Sequence, residues 1–175
     1  SPASTSPAIT GLDDNDFIFR TAATDALQGA VLAQIASEDL GASSAAVLAL
    51  NNAYGSGLSN GFANSFESDY DGTITAQVSF TAGQSSYTSQ LQNALSDDPD
   101  TLLVIGYPES GVQIFRDFYS GFDRNDMDVL VADGLQDSSL PDSVGQDMSN
   151  VRGTAPLGAG PGVDFFNQQF EEVYG

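Results

Sequence analysis

Apolar positions along this chain recur at two spacings, every second residue in some stretches and every third or fourth in others, and the alternation sorts the sequence into strands and helices. The clearest unit runs from Asp100 to Phe118, DTLLVIGYPESGVQIFRDF. Leu102, Leu103, Val104 and Ile105 form an unbroken apolar run, the pattern of a strand buried on both faces of a parallel sheet. Gly106 ends the run and Tyr107 and Pro108 occupy the turn. Val112, Phe115 and Tyr119, with Ile114 and Phe118 beside them, then recur at helical spacing. Strand, short loop and helix in that order are half of a βαβ unit.

The remaining chain continues the pattern. Ser1 to Asp16 is turn-rich and has no core pattern, whereas Phe17 to Thr21 (FIFRT) alternates and predicts a short strand. Asp25 to Leu40 predicts a helix with Leu27, Val31 and Ile35 on one face. Asp25 and Gln28 have the form of a capping box with Asp as the cap, and Gly41 closes the helix. Ser44 to Leu50 is a second buried strand, and NNAYGSGL (Asn51 to Leu58) leads into a helix carrying Phe62, Phe66 and Tyr70. Thr73 to Phe80 alternates, as a more peripheral strand does, and Tyr87, Leu91 and Leu95 stripe the next helix. A strand at Val129 to Ala132 ends in Asp133-Gly134, a short helix lies near Pro141 to Met148, and Val151 to Ala155 is a last strand. Gly158 to Gly162 (GAGPG) is a loop before a helix at Val163 to Tyr174 with Phe166, Phe170 and Val173 inward.

Five strands from Ser44 onward, alternating with helices, specify an α/β fold, a doubly wound and mostly parallel sheet with helices on both faces. With right-handed crossovers the compact strand order is 2-1-3-4-5, whose switch point lies between the first and third strands. Those strands are followed by Tyr54 and Tyr107, and Asp133 arrives from the adjacent fourth. Two phenols and a carboxylate would then share one crevice able to hold a cation. Each has a plainer role open to it: the tyrosines as helix caps or filling at the sheet's edge, Asp133-Gly134 as a turn pair, and Asp25 as a helix cap.

Composition narrows the partners. The chain has 175 residues, enough for one sizeable core, and 24 acidic residues against four arginines, for a formal net charge of −20. The acids, mostly aspartate, are spread along the chain rather than gathered in a tail. Such a surface repels nucleic acid and anionic membranes, and it fits a protein built for high salt, where the Debye length falls from about 30 Å at 0.01 M to about 3 Å at 1 M. Cysteine and histidine are absent, which removes disulfides, thiolate chemistry, a Ser-His-Asp triad and Cys/His zinc sites. No apolar run approaches a membrane span and no signal peptide is present, so the sequence reads either as cytosolic or as starting well inside a longer chain.

Several motifs fail on inspection. Gly55 and Gly57 begin a dinucleotide fingerprint whose third glycine falls at Gly61, one position late, and a chain without lysine has no P-loop. Glu67, Asp69, Asp71 and Gly72 imitate the start of a calcium loop, but Val78 stands where the bidentate glutamate belongs. Asp97 and Asp98 read as solvated surface rather than a glycosidase couple. No nucleophile, cofactor loop or metal cluster is evident, and the reading calls for no cofactor.

Certain stretches nonetheless form a recognisable set: SPASTSP at Ser1 to Pro7, FRTAATDALQG at Phe19 to Gly29, NNAYGSGL at Asn51 to Leu58, GYPESG at Gly106 to Gly111, ADG at Ala132 to Gly134 and the terminal FEEVYG. In order and spacing the chain resembles the type I periplasmic binding proteins, specifically the branched-chain amino acid (Leu/Ile/Val) receptors of ABC importers. The resemblance implies residues 1–22 as the end of a first lobe and its crossover, and residues 23–175 as the second lobe of a two-lobe receptor. It also implies a small-molecule amino acid clamped between lobes and delivered to ABC permease subunits, without catalysis. The location it implies is extracellular or periplasmic, with lipoprotein anchoring of the full-length protein. Ala3 and Thr5 match the first lobe's contacts to the ligand α-carboxylate, and Asp25 a carboxylate near the α-ammonium. Tyr54 and Tyr107 match aromatic contacts, and Asp133 the acid paired with the ammonium, where some relatives carry Glu. A ligand-sensing receptor or regulator domain is the other function that this fold accommodates.

Overall fold

Two strands whose interior positions are apolar on both sides, β1 (Ser44–Leu50) and β3 (Thr101–Ile105), form the centre of the molecule. The computed structural model describes residues 1–124, 126–157 and 160–175. Around the central pair lie β2 (Thr73–Phe80), β4 (Val129–Val131) and β5 (Val151–Gly153), giving a five-stranded sheet of order β2-β1-β3-β4-β5 with every pairing parallel. The register sets Val47 opposite Leu103 and Leu103 opposite Leu130. β2 is an edge strand of mixed burial, as its alternation predicts, and only Phe80 at its end is fully covered.

Successive residues of β1 point to opposite faces, so the sheet carries two cores. On one face Ala45, Val47 and Ala49 meet α1 (Asp25–Gln34) and α2 (Ala53–Tyr70) through Leu32, Leu58, Phe62 and Phe66. On the other, Ala46 and Leu48 meet α3 (Thr88–Ala94), α4 (Pro108–Gly121) and α5 (Leu140–Val144) through Tyr87, Leu91, Ile114, Phe115, Phe118 and Leu140. Each large aromatic here removes about 150–250 Å² from water, so these side chains carry most of the hydrophobic stabilisation.

Four details differ from the pattern. Phe17 to Thr21 is not a strand: its residues pair with no sheet, and Phe17, Ile18 and Phe19 are exposed at 84%, 51% and 71%. Leu27 and Val31 face outward, and α1 buries Asp25, Gly29, Leu32 and Ala33 instead. The reason is close packing: a Cβ on Gly29 would lie 2.5 Å from the Phe62 nitrogen, so only glycine lets α1 settle onto α2, and that contact fixes the inward face. The cap of α1 is Thr24, whose hydroxyl accepts from the Ala26 N–H, so Asp25 is the first helical residue and not the cap. The helix ends in a π turn, Ile35–Asp39, before Gly41 with φ +68°. At the other end of the chain α6 (Val163–Tyr174) forms as its periodicity predicts, but Phe166, Phe170 and Val173 are exposed at 63%, 53% and 68% rather than inward. Of the loop expected at Gly158 to Gly162, Gly158 and Ala159 lie outside the described residues.

The opposite end of the sheet from the strand-to-helix turns is tied by one carboxylate. Asp100 Oδ2 accepts from Ser43 N, Ser43 Oγ and Ser44 N, each at 2.9 Å, and the Asp100 N–H donates to Ser44 Oγ at 3.0 Å, locking the starts of β1 and β3 together. These bonds, led by the Ser43 N–H, hold the Asp100 pKa below the usual aspartate value. A group with a depressed folded-state pKa stabilises fully above its unfolded pKa and stops doing so as pH falls through its folded pKa. Asp100→Ala is therefore expected to lower stability by about 1 kcal/mol at neutral pH, the low end for charge-assisted bonds because the group is exposed. Urea unfolding of the two proteins should converge as pH drops below the usual carboxylate range, about 4; a gap that stays constant into acid would exclude this role.

Candidate functional site

Three chain segments leave the carboxyl ends of β1, β3 and β4 and turn toward one another, which in a parallel sheet is the place where polar side chains converge. After β1, Asn52 caps α2 by accepting the Gly55 N–H at 2.8 Å, which sets Tyr54 in the first helical turn. After β3, Tyr107 is the residue before α4, and Pro108, whose fixed φ suits a first helical position, starts that helix. After β4, Asp133–Leu135 makes a single 3-10 turn.

These segments bring Tyr54, Tyr107 and Asp133 together. The Tyr54 hydroxyl donates to Asp133 Oδ1 at 3.0 Å and accepts the Gly134 N–H at 3.2 Å. The Tyr54 and Tyr107 rings stack with centroids 5.5 Å apart and planes 20° from parallel. Burial, and then the neighbouring Asp133 carboxylate, push the Tyr54 phenol far above its ordinary value, so it stays protonated and is fixed as a donor to Asp133. The Tyr107 phenol is raised for the same reasons in the same order. Neither ion pair among the described residues involves Asp133, so its charge faces the crevice without a cationic partner from the chain.

Residues 1–22 form the opposite wall. A 3-10 turn at Pro7–Gly11 rests over the start of α2, where the Ser6 hydroxyl donates to the Ala53 carbonyl at 3.5 Å. Arg20 fastens this segment: its guanidinium donates to the carbonyls of Thr5 at 3.2 Å and Ser6 at 2.8 Å, and to the Thr10 hydroxyl. Between the walls is a crevice of about 630 Å³ with Ala3, Thr5, Ile9 and Leu12 on one side and Tyr54, Tyr107 and Asp133 on the other. That volume is in the range of small-molecule sites.

Asp25 stands apart from this set. It does not line the crevice; it lies behind Thr5, tied by its own N–H to the Thr5 carbonyl at 3.0 Å, and the residue is 0% exposed. Burial raises its pKa most; the Thr5 hydroxyl lowers it, Asp133 raises it further, and Arg20 lowers it least. Of the six residues singled out from sequence, five therefore line one crevice and the sixth sits in the layer behind it.

Sequence reading missed the apolar wall formed by Ile9 and Leu12, because a 3-10 turn of five residues shows no period. It also passed over Arg20, for which the available signal was a lone cation in an acidic stretch. A second crevice of about 620 Å³ lies at the ends of β4 and β5, floored by Leu135, Leu140 and Met148. The carboxylate on its rim, Asp137, is already engaged by the Ser139 N–H and hydroxyl at 2.8 and 2.7 Å, so it has less to offer a charged ligand.

Residues 1–175 match the family described as "Periplasmic binding protein". Among solved structures, the chain is similar to a leucine binding protein LivK of Thermotoga maritima, with 29% identity, a TM-score of 0.78 and coverage of 99% of this chain and 49% of that one. It shares its fold with the branched-chain amino acid transporter substrate binding protein LivJ of Streptococcus pneumoniae, solved in complex with isoleucine. That match has 23% identity, a TM-score of 0.64 and coverage of 91% and 46%. A chemotactic signal transduction system substrate-binding protein, BasB of Halobacterium salinarum, is 29% identical over 152 residues, 82% of this chain and 34% of that protein. The chain thus spans about half the length of these two solved structures and about a third of that relative.

Gly134 is closely packed within the site. A Cβ there would lie 2.5 Å from the Gly106 carbonyl and 2.9 Å from the Tyr54 hydroxyl, so any side chain forces the turn carrying Asp133 away from the tyrosines. Gly134→Ala is expected to cost about 1–3 kcal/mol in chemical denaturation. Gly121→Ala, at the end of α4 where an added Cβ meets nothing within 4 Å, should be neutral or slightly stabilising. Equal stabilities for the two variants would refute the close approach.

Proposed function

We propose that this chain, which belongs to the periplasmic binding protein family, supplies the second lobe of a two-lobe receptor that captures an amino acid, branched-chain or a similar small zwitterion. In this reading residues 1–22 are the end of the first lobe and the crossover, and residues 23–175 are mainly the second lobe. The captured solute goes to the permease of an ABC importer. The observation that carries the reading is the hydrogen bond from Tyr54 to Asp133 beside the stacked Tyr107, three groups from separate strand ends presented to one crevice.

An ammonium taken out of water needs charged acceptors, and Asp133 is an oriented one with no cation of its own. A tyrosine face adds about 0.5–2 kcal/mol of cation–π attraction. On this reading the hydroxyl and N–H of Thr5, across the crevice, receive the ligand's carboxylate, the Ala3 carbonyl is a further backbone contact, and Ile9 and Leu12, which line the same crevice, give its aliphatic end an apolar wall. The apolar faces at Phe17–Phe19 and along α6 are where a first lobe would pack. The protein would work outside the cell membrane, anchored in its full-length form as a lipoprotein. No described helix is long and apolar enough to cross a membrane.

A second reading, delivery of the bound ligand's signal to a receptor rather than to a permease, is favoured by one observation, the similarity to a chemotactic substrate-binding protein. Both readings use the same crevice. Deleting the permease genes separates them: loss of uptake with taxis intact supports the importer, and loss of taxis alone on deleting this protein supports the sensor.

Calorimetry on the full-length protein with leucine, isoleucine and valine is expected to show binding that Asp133→Ala reduces by at least about 100-fold, the cost of removing a buried charge partner. Unchanged affinity would remove Asp133 from the site. Residues 1–175 alone should bind far more weakly, since a single lobe cannot enclose the ligand; comparable affinity would contradict the two-lobe reading. A net charge of −20 also supports an adaptation to salt. The melting temperature should accordingly rise between about 0.1 M and about 2 M KCl as like-charge repulsion is screened, and a flat response would rule that out.

A further inference from the structure

The acidic residues skip one part of the chain. Between Asp39 and Asp97 the charged residues are Glu67, Asp69 and Asp71, at the end of α2 and just after it, and residues 72–96 carry none. That uncharged stretch folds as β2, the loop after it and α3, and β2 is a free edge of the sheet. Exposed positions on the flanking helices are amides and hydroxyls: Asn60 and Asn64 on α2, and Ser89, Gln92 and Asn93 on α3. A body of net charge −20 therefore has one neutral flank. Its backbone is open as well. The Phe80 carbonyl accepts the Asn51 N–H at 2.8 Å, so Ala76, Val78 and Phe80 address β1, and by the alternation of a strand Gln77 and Ser79 turn their N–H and C=O groups outward. Edges are commonly blunted by lysine, proline or another charge, and β2 has none of these. Its one irregularity is a bulge. Ala45 pairs with Ile74 and Ala46 with Ala76, which leaves Thr75 between them, its hydroxyl donating to the Ala45 carbonyl at 3.3 Å. The regular edge is thus residues 76–80, with Val78 at its centre.

We propose that β2 pairs with β2 of a second copy of this chain, antiparallel about a two-fold axis at Val78, so that one sheet runs through both copies. In that register Gln77 of one copy faces Ser79 of the other and exchanges both backbone hydrogen bonds with it, and the axis repeats the pair. Val78, packed against the core on the α3 side, meets its own counterpart in the closer, non-hydrogen-bonded pairing. Charge selects this occupant. Two copies of net charge −20 repel each other, and like charges set opposite across paired strands destabilise the pair. The β2 flank is a surface on which two such bodies meet without opposing carboxylates. A cationic partner would be drawn to the acidic surface instead and needs no neutral face. The antiparallel sense follows from the same logic: it carries Asp71 toward the uncharged residues 81–86 of the second copy, whereas parallel pairing would set Asp71 beside Asp71. No residue of β2 lines the crevice that holds Asp133, so pairing leaves both crevices open and the inference stands whatever they bind.

Two measurements on the full-length protein decide it. Sedimentation equilibrium should show monomers and dimers whose dissociation constant falls at least about tenfold between about 0.1 M and about 2 M KCl, as repulsion is screened. Ser79→Pro removes a donor that points away from β1 and should raise that constant at least about tenfold, through hydrogen bonds lost at two symmetry-related places, with the circular dichroism spectrum unchanged. Ser79→Thr should leave it as it is. The second measurement uses the absence of cysteine from these residues. Val78→Cys stands on the axis, where facing Cα atoms lie about 4.5 Å apart and within disulfide reach, so mild oxidation should join two copies through it beyond any cross-linking of the parent protein. Thr73→Cys, off the axis, should not join them. A protein that stays monomeric up to about 0.1 mM in high salt overturns the proposal. So does a dimer that Ser79→Pro leaves intact, or one that Val78→Cys fails to cross-link, because another surface is then in contact. If Ser79→Pro does not fold, the two cysteine variants decide alone.

Discussion

A carboxylate at the end of a parallel strand, unpaired by any cation of its own chain, is the constraint around which this molecule is arranged. Asp133 keeps its position because the Tyr54 hydroxyl donates to it and the Gly134 N–H bonds back to the same phenol. Everything that holds Tyr54 in place therefore also holds Asp133: the Asn52 cap, the first turn of α2, and the seating of α2 on β1 through Leu58, Phe62 and Phe66. The hydrophobic core and the polar crevice are consequences of one register. Shift β1 by one residue and its two faces exchange, and the turn that carries Tyr54 leaves the site.

Charge placement follows the same logic. The four arginines are engaged at Thr5 and Ser6, at the Ser143 carbonyl, at Asp98 and near Asp128, and none faces the crevice. A chain with 24 acidic residues has reserved its few cations for fastening the backbone and the surface. The crevice is left lined by one carboxylate, Asp133, and by no cation among the described residues.

Strand order, both cores and the convergence of Tyr54, Tyr107 and Asp133 were legible in the sequence, because each depends on period and topology alone. What was not legible depends on contacts that period does not encode. Gly29 against Phe62 decides which side of α1 faces inward, overriding the more apolar face of Leu27 and Val31. The Thr24 hydroxyl outcompetes Asp25 for the cap, and so places a carboxylate one residue inside the helix and out of water. FIFRT has the alternation of a strand but joins no ladder, and the aromatic stripe of α6 is periodic yet exposed among the described residues. Amphipathic pattern specifies that a face wants to be covered; it does not specify by what.

The clasp made by Arg20 has a consequence for a chain that has dispensed with lysine altogether. Three oxygens, from Thr5, Ser6 and Thr10, must be gathered by one side chain reaching from beyond the turn they form. A planar fork can meet all three at once, whereas a compact ammonium on a flexible stem would serve them by turns. The rigidity of the wall bearing Ile9 and Leu12 is thus borrowed from the shape of a guanidinium, and the acidic surface outside could vary widely without loosening it.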